Sequence, residues 1–571
     1  MTGKCRDVIQ TLLGEAQIYS DLEQIEKFVQ EGRDLRHLPV QPLYMVMKKM
    51  PVETVAKSLD KFSQEQREAF LDLDLWEKDN LDVENFSFWP NVYSMCPYEH
   101  ITTEFVKSEE FLLFLKGRFN IWTFDCEDPN YPDHDNYFLT DDNLLLFEFD
   151  DECKYVDEIQ KLIRHFYSRE GVENAYSHLF KMVSDSYSSM QEEEYKQKKE
   201  RLIDYGFIDY YDALELDSTF VNLSVMNNFI KKKQKSTANL DNVAKCQALH
   251  STSVAAYRDG LENIGDELGK VGDTKRLDYL QFNFIRLVNG TISRFETLKS
   301  GQVAMTRTGL KTRSLLNLGL DYIRYFIEKE KIENNGEVLF ELFDFIDCFK
   351  IGNTLTKDVQ KKIKSSIAGT VFEGKDEYFL GSYWTDFLFK TFDSPVKINL
   401  NKTGHVVSSM EYYKLWEEKS RTFTGLVPYV LKFFETFAKI RDEGRLQDSF
   451  YFNYAVDEID FEAIIISSLA NHMLGNYKNG NDKKMGITVS EFKKWAKMVL
   501  SNDGKLVRSC EFTNKLAEFS KTFGFDGVHR FVSYLEDLLV HHIEGYELEE
   551  LSFKDFKHVG GPIILVPRSA S

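Results

Sequence analysis

The sequence predicts a mainly α protein: stacked short helices in the N-terminal part, a larger helical C-terminal region and one small β-hairpin. Three observations carry this. Residues 38–79 hold three amphipathic stripes in succession with almost no loop between them. Prolines number only 11 in 571 residues, which disfavours a sandwich or barrel of many short strands. Apolar stripes of period 3.6 then return along most of the chain.

In the first stripe Val40, Leu43, Tyr44, Met47 and Met50 share one helix face, with Pro42 near the start, where a missing N–H costs little. Pro51 opens the second, whose face is Val52, Val55, Ala56 and Leu59. Ser63 and Gln66 form a capping box for the third, faced by Ala69, Phe70, Leu73 and Trp76. Asp72, Asp74, Glu77, Lys78 and Asp79 fall mostly outside that face. Each helix is expected to run about ten to fourteen residues, marginal alone and dependent on its neighbours. This is the grammar of a stacked, HEAT-like helical repeat, a surface that holds a partner. Leu43, Tyr44, Met47, Lys48, Val55 and Trp76 are the candidate interaction surface.

Trp89-Pro90 and Cys96-Pro97 punctuate the next stretch, and Phe111 to Phe119 reads as another helix. After the turn-rich Cys126 to Asn136, two apolar runs flank Asp141, Asp142 and Asn143, so Tyr137 to Phe149 reads as a hairpin with an ordinary acidic turn. Long helices are expected from Val156 to Lys199, and Gly206 breaks Arg201 to Leu216 before a helix resumes at Tyr210. Residues 221–275 are less apolar and read as a flexible connection, most mobile around Lys231 to Asn242. Further helices are expected at Leu277–Leu298 and Leu310–Lys329; Ala368–Asn401 is ambiguous and holds candidate strands. Helices return at Ser409–Lys419, Tyr429–Arg441 and Asp460–Leu474, and Thr488 with Glu491 caps another. The expected organisation is 1–125 helical repeat, 126–220 hairpin and helices, 221–275 connection and 276–571 helical.

The formal charge of −21 argues against a general nucleic-acid binder, and the single basic run, Lys231, Lys232, Lys233 and Lys235, reads as a solvated face. Seven scattered cysteines without a C-x-x-C fit a reduced protein. The N-terminal residues lack the apolar core of a secretory signal, and Phe461 to Leu474 is too short to span a bilayer. A cytoplasmic location without a membrane span is expected. The tail Leu565-Val566-Pro567-Arg568-Ser569 resembles a thrombin cleavage sequence and is set aside.

These residues carry two resemblances. The run of short helices joined at L-P and M-P steps, with Gln66-Arg67-Glu68-Ala69-Phe70-Leu71 in the third, resembles the superhelical N-domain of MgtE-type magnesium transporters and the middle domain of FliG. The resemblance covers under a tenth of the chain. More broadly, Phe70–Asp82, Arg201–Leu216, Leu316–Ile323, Ile466–Gly475 and the VGGPIIL segment near the C-terminus resemble a large bacterial family known only as a domain of unknown function. That resemblance implies no reaction, cofactor or catalytic residue.

Direct chemical signatures are missing from the sequence. No G-x-S-x-G, G-x-x-x-x-G-K-[ST] or G-x-G-x-x-G is present. His529, His541, His542, Glu544 and His558 are the densest grouping, but two adjacent histidines do not place two ligands on one helix face. Asn479 to Asp482 and Asn502 to Gly504 read as turns rather than calcium loops. Tyr205, Phe207, Tyr210 and Tyr211, and Phe450 to Tyr454, lack adjacent basic residues and read as helix contacts. No catalytic, cofactor or metal residue is assigned. The sequence points to a non-catalytic protein-interaction or scaffold protein. The alternative is a ligand- or metal-responsive regulator or enzyme with a pocket in the C-terminal half.

Overall fold

A computed structural model describes residues 22–233, 240, 262–332, 338–400, 403–443, 459–479 and 486–545. The amphipathic N-terminus, much of Lys231 to Asn242, the aromatics at 450–454, the turn at 481–482, His558 and the C-terminal tail lie outside the described residues. The described chain is mainly helical, with a few short antiparallel strands. It divides into two compact units. The first comprises residues 1–219, 232–313 and 333–350, and the second comprises 220–231, 314–332 and 351–571.

In the first unit the three short helices form at Val40–Met47, Val52–Ser58 and Gln64–Leu75. The first two are shorter than their stripes suggest. Pro51 is extended at the cap of the second helix, and a residue before proline is pushed out of helical conformation, so Met50 belongs to a turn. The third begins at the expected capping box: Ser63 Oγ accepts from Gln66 N–H (3.2 Å), and Gln66 Oε1 accepts from Ser63 N–H (3.0 Å). Gln66 Nε2 also donates to Leu38 O (2.8 Å), tying the chain before the first helix to the third.

Two expectations about the third helix are corrected. It stops at Leu75, and Trp76–Glu77 pairs with Asn80–Leu81 in a two-residue ribbon whose turn places Lys78 at φ 61°. Two residues per strand are too few to leave a period-2 pattern. Asp72 and Asp74 are fully buried, because partners distant in sequence reach them. Asp74 accepts from Lys48 Nζ (2.9 Å), Asn85 Nδ2 (2.8 Å) and Trp89 Nε1 (2.7 Å), and from the Tyr44 hydroxyl.

The hairpin forms at Tyr137–Leu139 and Leu145–Glu148, with Phe138 opposite Phe147, and Asn120–Thr123 adds a third strand on the far side of Leu145–Glu148. Its acidic tip is a turn: Asp142 Oδ1 accepts from Leu144 N–H (3.0 Å) and the Thr140 hydroxyl (2.6 Å). Helices come next at Val156–Glu170, Val172–Leu179 and Tyr187–Asp204. Pro90 does not interrupt the chain; it lies in the first turn of Phe88–Ser94. Within 221–275, Leu223–Lys232 and Glu262–Leu268 are helical. The basic run is drawn into ion pairs, Lys231 with Glu330 (2.7 Å) and Lys233 with Asp347 (2.6 Å).

The second unit is organised around the 33-residue helix Met410–Asp442. The sequence predicts two helices there, yet the chain runs through Pro428. An internal proline costs about 3 kcal/mol. The stripe of Trp416, Phe423, Val427, Val430, Phe434 and Phe437 is buried on both sides of it and holds the helix continuous. Phe461–Met473 is buried from Phe461 to Asn471, a core helix as its composition suggests. The ambiguous segment at 368–401 resolves into the helix Ser382–Phe392 and a ribbon of Lys397–Leu400 with Thr403–Val406. Among the described residues, no helix is long and apolar enough to cross a membrane.

Candidate functional site

The candidate interaction residues lie inside the first unit. Leu43, Met47 and Val55 are fully buried, Tyr44 and Trp76 nearly so, and Lys48 is half-buried with its Nζ on Asp74 and 4.7 Å from the Phe88 ring centre. Their stripe faces the core, since each short helix is covered by its neighbours.

Beside them is a buried charge group. Arg201, on Tyr187–Asp204, donates Nε to Asp72 Oδ2 (2.9 Å) and Nη2 to Asp72 Oδ1 (2.8 Å). Nη2 also reaches Glu110 Oε1 (2.8 Å) and contacts Glu194. One carboxylate oxygen from each of the three acids lies within 4.8 Å of the others, a spacing that suits a cation. The guanidinium already fills that role. Burial pushes the Asp72 carboxyl up, Glu110 well up and Glu194 up to about 6. Burial opposes the charge on Arg201, but the surrounding acids outweigh it and raise its pKa. Three acids around one fixed cation therefore keep part of their charge suppressed by protonation. This geometry ties three helices together.

The second unit builds a different arrangement around Glu462, the second residue of its core helix. The side chain reaches the first turn of Ser382–Phe392, where Oε1 accepts from the backbone N–H of Tyr383 (2.9 Å) and Trp384 (3.4 Å). A carboxylate suits this place, because a helix N-terminus presents unpaired N–H groups and a positive dipole end. Gly381 makes the approach possible: a Cβ there would sit 2.1 Å from Glu462 Cδ, and φ is +91°. Glu462 Oε2 meets His542 Nε2 at 2.6 Å, and the Ser382 hydroxyl lies 3.5 Å from Oε2 and 3.2 Å from His541 Nε2. Burial raises the Glu462 carboxyl to about 8 against the pull of these donors, and burial lowers the His542 imidazole. Both shifts favour the neutral forms, a protonated carboxyl beside a neutral imidazole. Nearby Asp460 is pushed up to about 7 by burial and by the charge of Glu462.

A pocket of about 310 Å³ opens next to this group. Tyr383, Trp384, Phe387 and Tyr534 give it aromatic walls, with the Trp384 and Tyr534 rings 5.0 Å apart. Lys390, Lys397, Lys419, Arg508 and Arg530 line it, against Asp386, Glu418 and Asp537. Each of these acids is engaged: Asp386 by Lys390 (2.6 Å), Asp537 by Lys419 (3.3 Å) and Glu418 by Arg530 (2.5 Å). Among the described residues Arg508 is exposed and forms no ion pair. His541 completes the wall.

Of the histidine grouping, His541 and His542 come together with Ser382 and Glu462, while His529 is exposed. Glu544 lies past the end of the helix and accepts from Leu506 N–H (3.3 Å), so it does not join them. The Ser382–His541 contact invites comparison with a nucleophile and its base. An oxyanion would need N–H donors close by, and those of Tyr383 and Trp384 are taken by Glu462. The arrangement anchors a helix and lines a pocket.

Sequence reasoning missed Glu462, Ser382 and the cationic wall. The available signal was one acid inside the otherwise apolar run Phe461–Ile466. It also missed the cations near the aromatics at 205–211: Lys78 lies 5.4 Å and Arg294 5.5 Å from the Tyr210 ring centre, both brought from distant sequence.

No curated protein and no solved structure matches the chain. The likeness to the magnesium-transporter N-domain rests on the helix pattern alone. A match to one protein family extends over residues 7–518, nearly the whole sequence, and the chain belongs to that family of unknown function, DUF6178.

Proposed function

We propose that this protein binds a small anionic ligand with a flat apolar part in the pocket of the second unit. One observation carries the reading: an aromatic-walled cavity of about 310 Å³ is lined by five cationic side chains, of which Lys390, Lys397, Lys419 and Arg530 are ion-paired and Arg508 is left for an anion, in a chain of net charge −21. Ligand sites typically have volumes of about 300–1,000 Å³ and combine apolar walls with a few convergent polar groups. Rings offer stacking surfaces, and the lysines and arginines offer an anion its partners. The occupied N–H groups at Ser382–Phe392 favour a ligand-responsive regulator over a hydrolase. Burial of Leu43, Met47 and Val55 weighs against a scaffold role for the 38–79 helices.

Thermal unfolding with phenyl phosphate as the probe tests this. The expected result is a higher midpoint with phenyl phosphate than with phenol or inorganic phosphate alone, reduced in Arg508→Ala and Arg530→Ala. If no compound shifts the midpoint, or both variants respond like the parent protein, the reading is wrong.

A further inference from the structure

The first unit contains its own cavity, of about 120 Å³. Trp76, Leu202, Phe207, Ile292 and Leu298 line it, all buried. A wholly apolar cavity of about 150 Å³ accepts a benzene ring; this smaller one, whose lining also includes Lys78, Lys199 and Lys299, suits at most a single small ring or a short branched chain with a polar end. Lys198 also lines it. Its Nζ lies 5.3 Å from the Trp76 ring centre and 4.8 Å from that of Tyr195. Among the described residues its hydrogen bond goes to Lys78 O (3.3 Å) and it forms no ion pair. The acids nearest in charge are committed elsewhere: Asp72 to Arg201, and Asp209 to the Tyr195 hydroxyl (2.7 Å) and Tyr211 N–H (3.1 Å). Burial pushes the Lys198 amine down to about 8, against the opposing pull of Asp209, Asp72 and Asp79.

We infer that this cavity binds a small carboxylic acid whose apolar body fills the space beside Trp76 and Phe207 and whose carboxylate pairs with Lys198. The site is separate from the pocket of the second unit and does not depend on it.

Calorimetric titration of the full chain with benzoate, and with benzyl alcohol as its neutral counterpart, tests the inference. Benzoate is expected to bind about tenfold tighter than the alcohol, and Lys198→Gln to erase that ratio while the alcohol still binds. Benzoate is itself a flat anion that suits the pocket of the second unit, so the titration is also run in Arg508→Ala, where adding Lys198→Gln is expected to erase the remaining benzoate preference. Equal affinity for the two compounds, no benzoate binding at millimolar concentration, or an undiminished ratio in Lys198→Gln would overturn the inference.

Discussion

Asp72, Glu110 and Glu194 in the first unit and Glu462 in the second are all buried acids, yet they are accommodated by different means. The first group surrounds a formal cation, the Arg201 guanidinium. Glu462 instead meets backbone N–H groups at a helix start and a neutralisable imidazole. A fixed cation cannot adjust its charge, so the excess acid must take up protons. A histidine and a carboxyl can trade one proton between them and remain neutral as a pair. The contrast is between acids held around a fixed cation and an acid held by backbone N–H groups and an imidazole.

Removing the clamp should have the largest effect. Arg201→Met leaves three acids in the interior without their cation, and breaking a buried ion pair from one side costs about 3–5 kcal/mol. Denaturant titration should show that loss, with Arg201→Lys recovering only part of it, since Lys cannot form the two-pronged contact with Asp72. If Arg201→Met unfolds at the parent midpoint, the clamp contributes nothing and the comparison fails.

Glu462 should matter less. Glu462→Ala strands the N–H groups of Tyr383 and Trp384, a penalty of about 1–3 kcal/mol, while Glu462→Gln keeps a carbonyl acceptor there and should cost less. Equal destabilisation by the two variants would mean that charge, not hydrogen bonding, holds Glu462 in place. That outcome would make the two groups more alike than their geometry suggests.

The smallest effect separates them by pH. Glu194 at about 6, Asp460 at about 7 and Glu462 at about 8 are all raised. A carboxyl raised in the folded chain adds stability that is fully present below its unfolded value and is lost as pH rises through the folded one. His542 is lowered, so its contribution is present above its unfolded value and fades as pH falls through its folded one. Above about pH 6.5, where His542 no longer opposes the trend, the denaturation midpoint should therefore fall until about pH 8, and Glu462→Gln should flatten the upper part of that fall. A parallel slope in the variant would show that Glu462 does not carry that part of the pH response.

Legibility in the sequence tracks the range of the interactions. Both capping boxes, Ser63 with Gln66 and Thr488 with Glu491, are local hydrogen-bond patterns three residues apart, and both form. The hairpin turn at Asp142 and Asn143 is equally local. The burial of Asp72 could not be read, because its partner Arg201 is 129 residues away. Glu462 depends on His542 and on a helix start about 80 residues distant. Pro428 misled for a related reason: its local cost is plain in the sequence, whereas the packing that offsets it is not.

The fit between Gly381 and Glu462 has a consequence for descent within the family. Any larger residue at 381 collides with the glutamate, and loss of the glutamate alone strands the helix start. Neither position can drift by itself without passing through a weakened intermediate. Across relatives the two should be inherited together or exchanged together, and a lineage holding only one of them should carry a compensating change at Ser382 or His542.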